Sequence, residues 1–208
     1  MRLEASMKIA KIMAVFASVI LSTTIIGAQG ETQQLCVDES ASRFTIQVGS
    51  AGFLKMFGHD HQIEARQIRG CALIDWSRLE QSSVDLAFAS SGLQVADKEH
   101  KEDIPEVQKE METNVLRVGQ FPEIRFKSER VQVRKASDLI IEGALTIRGR
   151  TEKAAVPVNL RRLADGRVNV SGSYNLRQSD FGIEPVRVGG GLVRVKDEVR
   201  CDFNLVLR

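Results

Sequence analysis

The sequence predicts an all-β protein whose antiparallel strands form a sandwich or a closed barrel, with one short helix in a connection. Two observations predict this fold class. Apolar and polar residues alternate with period two through most of the 208 residues, which is typical of strands that bury one face. Turn signals separate the alternating segments, and about eight strands result, without an internal repeat or a linker.

The first half of the chain contains two clear strands. In each of them the apolar side chains share one parity: Phe44, Ile46 and Val48 in the first, and Val84, Leu86 and Phe88 in the second. The alternation changes phase in two stretches, 62–74 and 124–133. A bulge or a bend in the strand explains such a change.

One segment has the spacing of an amphipathic helix. Its apolar residues fall three or four positions apart or side by side, at Ile104, Val107, Met111, Val115 and Leu116. Asp103 is a candidate N-cap, and Pro105 lies in the first turn, where proline is tolerated. A single helix therefore interrupts the sheet.

The second half contains four further strands, each with one face that is apolar or small. These positions are Leu139, Ile141, Gly143, Leu145 and Ile147; then Ala154, Val156, Val158 and Leu160; then Val168, Val170, Gly172 and Tyr174; and finally Val199, Cys201, Phe203, Leu205 and Leu207. A turn at Gly149-Arg150 joins the first two strands. Asp165-Gly166 supplies the positive φ that the next tight hairpin needs.

Residues 1–30 have the three-part plan of a secretory signal. A short cationic stretch precedes an apolar run over 12–26, and small residues follow, so cleavage is expected after Ala28 or Gly30. The run is shorter than the ~20 apolar residues that span a bilayer. The sequence therefore predicts an exported, periplasmic domain, 31–208, that is not an integral membrane protein.

The charges exclude nucleic acid as a partner. The formal net charge is +2, but removal of the signal leaves equal numbers of basic and acidic residues. Lysines and arginines alternate with acids along the strands and do not form the basic stripe that such a surface needs. An outer-membrane barrel would carry aromatic girdles, whereas this chain has one Trp and one Tyr.

The three cysteines leave two hypotheses open. Export permits a disulfide, and a bond between Cys36 and Cys201 would tie the first strand to the last in a closed sheet. Alternatively, Cys36, Cys71 and Cys201 are all small buried residues. Spacing alone does not fix the pairing.

The histidines offer the one candidate metal site. His59 and His61 point to the same side of an extended strand, and with His100 or a carboxylate they could hold zinc or copper. The favoured interpretation is a hydrogen-bonded turn near a barrel mouth, since His-x-His is half of a site. No Gly-x-Ser-x-Gly motif is present, and the 189–191 glycine run lacks the lysine and helix of a phosphate loop.

Several motifs occur in the order seen in a known family. They are FGHDH at 57–61, IRG at 68–70, FPEIRFKS at 121–128, GALTIRGRT at 143–151 and LRQSDFGI at 176–183. Over about residues 36–208 the chain resembles the YceI-like family of exported polyisoprenoid-binding proteins. The resemblance implies an eight-stranded antiparallel barrel of extended lipocalin-like form, with a long apolar cavity for an isoprenoid amphiphile such as a quinone or a polyprenyl chain.

The chain departs from this family at two places. Where members tend to carry His-x-Gly, this chain has Ser50-Ala51-Gly52, and a charged run around His100 replaces an Asp-x-His-Leu segment. Transfer of the family's ligand is therefore a hypothesis for this chain.

The first functional hypothesis is a non-catalytic binding protein with no cofactor other than a bound isoprenoid lipid or quinone. An apolar loop that includes Phe53 and Phe57 lines or covers the mouth in one interpretation and is an ordinary core plug in the other, and periodicity does not separate the two. The candidate ligand-binding residues are Phe44, Phe53, Phe57, His59, His61, Phe88 and Phe181. The alternatives are a metal-binding protein or metal-dependent enzyme using His59, His61 and His100, and a stress-related structural module with a filled barrel. The oligomeric state stays open, with a homodimer as one alternative.

Overall fold

The computed structural model describes residues 32–51, 60–188 and 193–208. Within these ranges the chain forms twelve strands and one α-helix, α1 (Ile104–Glu110), which a π-helical turn (Met111–Val115) extends. The strands are β1 (Thr32–Cys36), β2 (Arg43–Ala51), β3 (His61–Ala65), β4 (Ile68–Asp75), β5 (Ser83–Ala89), β6 (Leu93–Val95), β7 (Glu123–Val133), β8 (Asp138–Ile147), β9 (Arg150–Arg162), β10 (Val168–Arg177), β11 (Arg187–Val188) and β12 (Val193–Leu207).

The strands form one antiparallel sheet in the order β1-β4-β5-β7-β8-β9-β10-β12-β2-β3-β6, with β11 paired to β12. The sheet curls until β1, the first strand along the chain, meets the end of β12, the last strand along the chain. The Cys36 N–H donates to the Arg208 carbonyl at 2.8 Å, and the Arg208 N–H donates back at 2.9 Å. The predicted all-β, antiparallel, barrel-like fold with one short helix is confirmed.

The predicted count of eight strands is not confirmed, because three stretches of extended chain are each interrupted and so form two strands instead of one. A 3-10 turn at 39–41 separates β1 from β2, a bend at Arg66 and Gln67 separates β3 from β4, and a 3-10 turn at 90–92 separates β5 from β6. Since β4 pairs with β5 while β3 pairs with β6, the last two breaks coincide across the sheet. Gln67 has a φ of +59°, which lets the chain turn sharply there.

Both predicted changes of phase correspond to irregular pairing. The break at Gln67 lies within 62–74, and β7 shifts register against β8 between Ser128 and Arg130. The bulge in β7 turns Val131 inward after Ile124 and Phe126 have pointed inward with the opposite parity.

The structure contradicts both hypotheses for the cysteines, the Cys36–Cys201 bond and three buried free thiols. Cys36 of β1 and Cys71 of β4 lie opposite each other and form a disulfide, whereas Cys201 is a buried free thiol. The predicted Cys36–Cys201 bond is wrong, because Cys201 faces the interior and Cys36 is exposed. Backbone hydrogen bonds, not a disulfide, tie β1 to the end of β12.

Within the described ranges no helix combines the length and the apolar character that a membrane crossing requires.

Candidate functional site

The curled sheet encloses an apolar cavity of about 200 Å³. Side chains from both halves of the chain line it, and its polar contributors are Ser82, Ser83 and Tyr174. The apolar lining comprises Phe44, Ile46, Ala72, Ile74, Val84, Leu86, Phe88, Leu93, Ile124, Phe126, Val131, Leu139, Ile141, Leu145, Ile147, Val156, Val158, Leu160, Val170, Leu176, Cys201, Phe203, Leu205 and Leu207. The cavity therefore suits a hydrocarbon and lacks charged side chains.

The cavity is long and narrow. It follows β8 from Leu139 to Ile147, and at about 3.3 Å per residue this stretch measures about 26 Å. Its volume is modest for that length, since a cavity of about 150 Å³ holds a single benzene molecule. A slender chain fits this shape better than a compact ring system, and a long ligand must displace side chains or leave part of its tail outside.

An aromatic cluster forms one wall of the cavity. The ring of Phe44 stands edge-on to Phe88 at 5.0 Å and is stacked with Phe203 at 5.8 Å. Gly172 makes room for this cluster, because a Cβ there would lie 2.8 Å from the Phe203 ring and 2.4 Å from the Pro157 carbonyl oxygen. Two of the predicted ligand-binding residues, Phe44 and Phe88, thus line the cavity.

The remaining predicted residues occupy three other kinds of position. Phe181 is 3% exposed and packs in a cluster with Ile147 and Ile183, and it is not among the residues that line the cavity. His61 takes part in a polar network beside the sheet. Phe53, Phe57 and His59 lie outside the described residues.

His61 is held by Asp97. Its Nδ1 lies 2.7 Å from Asp97 Oδ2, and the other carboxylate oxygen accepts the Gln62 N–H at 2.7 Å. The His61 and Asp97 side chains are 19% and 8% exposed. This network links β3, of which His61 is the first residue, to the chain after β6, and the interpretation of a turn near a barrel mouth stays a prediction.

The predicted metal site stays a prediction. Among the described residues, His100 lies with Glu102 and Asp103, their ligand atoms within 4.8 Å of one another, and the group lies near the surface. His61 is not part of this group, and His59 falls outside the described residues. Of the two predicted histidines that the structure describes, His100 lies in a group of three ligand-type side chains, and His61 lies beside the carboxylate of Asp97.

The ligand-binding residues predicted from the sequence are phenylalanines and histidines, and they include none of the lining residues of β8, β9 and β10. Tyr174, Val156 and Ile141 face the cavity with the same parity that predicts these strands. The alternation itself was therefore the signal that could have identified them.

Two ionisable side chains lie side by side on this wall. Tyr174 of β10 is paired in register with Cys201 of β12. Burial, followed by the neighbouring Asp202, raises the pKa of the Cys201 thiol from 9.0 to about 12. Burial also raises the pKa of Tyr174, with smaller contributions from Cys201 and Asp180. Both side chains are neutral at neutral pH, as an apolar cavity requires.

Because the pKa of Cys201 is higher in the folded than in the unfolded chain, the free energy of unfolding decreases when alkali ionises this thiol. Its stabilising effect is complete below pH 9 and is lost as the pH rises toward about 12. We expect the free energy of unfolding to fall by up to about 1.4 kcal/mol per pH unit in that window. C201A lacks this titrating thiol. The free energies of unfolding of the wild type and C201A, measured in urea from pH 7.5 to 10.5, should therefore differ by an amount that changes with pH. A constant difference would contradict the assignment.

The fold and the cavity define a class of protein, in which an antiparallel, barrel-like sheet encloses an apolar chamber. Within this class, the YceI-like domain matches residues 36–207. Since this match covers most of the chain, the chain belongs to the YceI-like family, as the motifs predicted.

Solved structures of the same fold include BcnA of Burkholderia cenocepacia, with a TM-score of 0.67 and 18% identity over 82% of this chain and 98% of that chain. A polyisoprenoid binding domain from Saccharophagus degradans, implicated in plant cell wall breakdown, gives 0.61 and 12% over 84% and 97%. The YceI protein of Campylobacter jejuni gives 0.53 and 12% over 69% and 82%. At these identities the likeness concerns the fold. No curated protein sequence matches the chain.

Proposed function

We propose that this protein is an exported, non-catalytic binding protein that holds the hydrocarbon tail of an isoprenoid amphiphile in its cavity. The observation that carries the proposal is the apolar, elongated cavity of about 200 Å³ inside a YceI-like domain. The description of the Saccharophagus degradans domain as polyisoprenoid binding supports the same ligand class. A polyprenyl chain or the tail of a quinone has this chemistry.

The binding energy comes from burial of hydrocarbon. Removing roughly 300 Å² of apolar ligand surface from water contributes about 7 kcal/mol at ~25 cal/mol per Å². That is the scale of a dissociation constant on the order of 10 μM before the cost of ordering the ligand is counted. The surface of the cavity is entirely apolar, so binding there depends on hydrocarbon contact, and no lining group supplies a charge.

The proposed place of action is the periplasm. Residues 1–30 have the pattern of a cleavable secretory signal. An exported protein with an apolar cavity can carry or store a lipid outside the cytoplasm. The Cys36–Cys71 disulfide is compatible with such an oxidising compartment.

Organic extraction of the exported protein tests the proposal. The full chain is expressed with its native N-terminus, purified from the periplasm without detergent and extracted with chloroform and methanol. Mass spectrometry of the extract should then find an isoprenoid species in near-stoichiometric amount, and a separate sample, delipidated without organic solvent, should bind geranylgeraniol. An extract without isoprenoid, together with no geranylgeraniol binding in calorimetry, would overturn the proposal and favour a filled structural module.

A further inference from the structure

Three arginines meet at one end of the cavity. Arg148 and Arg150 flank Gly149 in the hairpin between β8 and β9, and Arg117 lies in the loop after the π-helical turn. The sequence separates Arg117 from the hairpin by about thirty residues, so no run of basic residues marks the cluster. The expectation that lysines and arginines do not cluster is wrong at this corner.

Packing holds the loop of Arg117 against the hairpin. The Arg117 carbonyl accepts hydrogen bonds from the N–H groups of Gln120 at 2.8 Å and Phe121 at 3.0 Å. The ring of Phe121 then covers Gly149, where a Cβ would lie 3.1 Å from the ring. Arg117 is thereby positioned beside Arg148.

A third segment, the turn that ends at Gly182, completes the corner. Nη1 of Arg148 donates to the Gly182 carbonyl at 3.3 Å. A Cβ on Gly182 would lie 2.7 Å from Cζ and 2.8 Å from Nε of Arg150, so the absence of a side chain there makes room for this guanidinium. Gly182 also has a φ of +68°.

The positive charge of this cluster is not neutralised by the described residues. Other arginines on the surface are paired, such as Arg125 with Asp85 at 2.6 Å and Arg167 with Asp165 at 2.7 Å. Within the described ranges, the three clustered arginines form no ion pair within 4.0 Å. The two internal stretches outside those ranges, 52–59 and 189–192, contain no Asp or Glu.

Burial and the two neighbouring positive charges both act on Arg148. Burial, followed by the positive charges of Arg117 and Arg150, lowers the pKa of its guanidinium from the ordinary value. Two of the three also have left-handed backbones, with φ of +51° at Arg117 and +50° at Arg148. Such conformations are unfavourable for residues other than glycine, and they are enriched at functional sites.

The arginine cluster lies directly next to residues that line the cavity. Ile147, which precedes Arg148, lines the cavity and packs against Phe181 and Ile183. Leu145, Ile124 and Leu176 also line the cavity, and they pack around these same three apolar side chains. An amphiphile with its tail in the cavity reaches the arginines when the buried side chains of Phe181 and Ile183 move aside.

We propose that Arg117, Arg148 and Arg150 form a binding site for a phosphate-type anion, namely the phosphate or diphosphate head group of the amphiphile whose tail fills the cavity. Guanidinium groups bind phosphate oxygens through paired, charge-assisted hydrogen bonds, and an anion relieves their repulsion. This inference rests on the proposed function and narrows its ligand class from isoprenoids in general to anionic ones, in preference to neutral quinones.

Calorimetry with delipidated full chain tests the inference through three probes: geranylgeranyl diphosphate, geranylgeraniol and inorganic pyrophosphate. The diphosphate lipid should bind about 30-fold more tightly than the alcohol, and salt should reduce this preference. The variant R148Q/R150Q should lose the preference while its affinity for geranylgeraniol is unchanged. The matched control R134Q/R161Q removes the same charge at the opposite end of β8 and β9 and should behave as the wild type.

The outcomes separate this inference from the proposed function. Equal affinity of the wild type for both lipids would overturn the anion site and leave isoprenoid binding intact. Failure of both lipids to bind would overturn both proposals. Pyrophosphate binding as tight as that of the diphosphate lipid would overturn the head-group assignment, because the tail would then contribute nothing. An equal loss of both lipids in R148Q/R150Q would assign the arginines to the fold.

Discussion

The variant V156F is expected to bind geranylgeraniol about 100-fold more weakly than the wild type while keeping the fold. Val156 of β9 lies opposite Ile141 of β8, and both line the cavity. A benzene-sized ring takes up most of about 150 Å³, so a phenylalanine here blocks a cavity of about 200 Å³. A ligand that loses about 100 Å² of apolar contact loses roughly 2.5 kcal/mol, which is close to two orders of magnitude in affinity.

The neighbouring residue provides the matched control. Ala155 is exposed on the outer side of the same strand, so A155F adds the same ring outside the cavity. A155F should bind geranylgeraniol as the wild type does. Because overpacking can destabilise a protein by about 1–3 kcal/mol, thermal unfolding is measured for both variants, and V170F supplies a second way to fill the cavity. Wild-type affinity in a folded V156F or V170F would exclude this cavity as the ligand site.

Local patterns were sufficient to predict which side chains face the interior. The parity of Leu139, Ile141, Leu145 and Ile147 in the sequence is the parity with which they line the cavity. The same holds for Cys201, whose place between Val199 and Phe203 in the last strand already predicted an inward thiol. Period two identifies faces because a strand alternates its side chains strictly.

Local patterns did not predict which distant strands pair with each other. Cys36 and Cys71 meet because β1 pairs with β4 in one register, and neither strand shows a clean alternation in the sequence. Arg117 and Arg148 meet through Phe121 and Gly149, a tertiary contact that no local period encodes. The strand count differs for the same reason, since the breaks at 66–67 and 90–92 align only in the folded sheet.

Removing the disulfide is expected to have the largest effect on stability. The bond joins positions 35 residues apart, and cross-linking a loop of that length restricts the unfolded chain by about 4 kcal/mol in the chain-entropy account. The variant C36A/C71A should therefore unfold at a lower urea concentration, with a Tm lowered by about 10 °C. The strand β1 has five residues and meets the end of β12 through few backbone hydrogen bonds. We call the contacts of β1 with β4 and β12 the seam, and without the disulfide this seam should open first.

The single tryptophan reports on this seam. Trp76 follows β4, and its Nε1–H donates to Gln33 of β1 at 3.3 Å, so its fluorescence should change when β1 detaches. Dithiothreitol should bring the unfolding curve of the wild type to that of C36A/C71A and leave the variant's own curve unchanged. Coincident curves for the wild type before and after reduction, with the loss of the bond verified by a thiol assay, would show that the backbone pairing of β1 with β4 and β12 holds the seam without it.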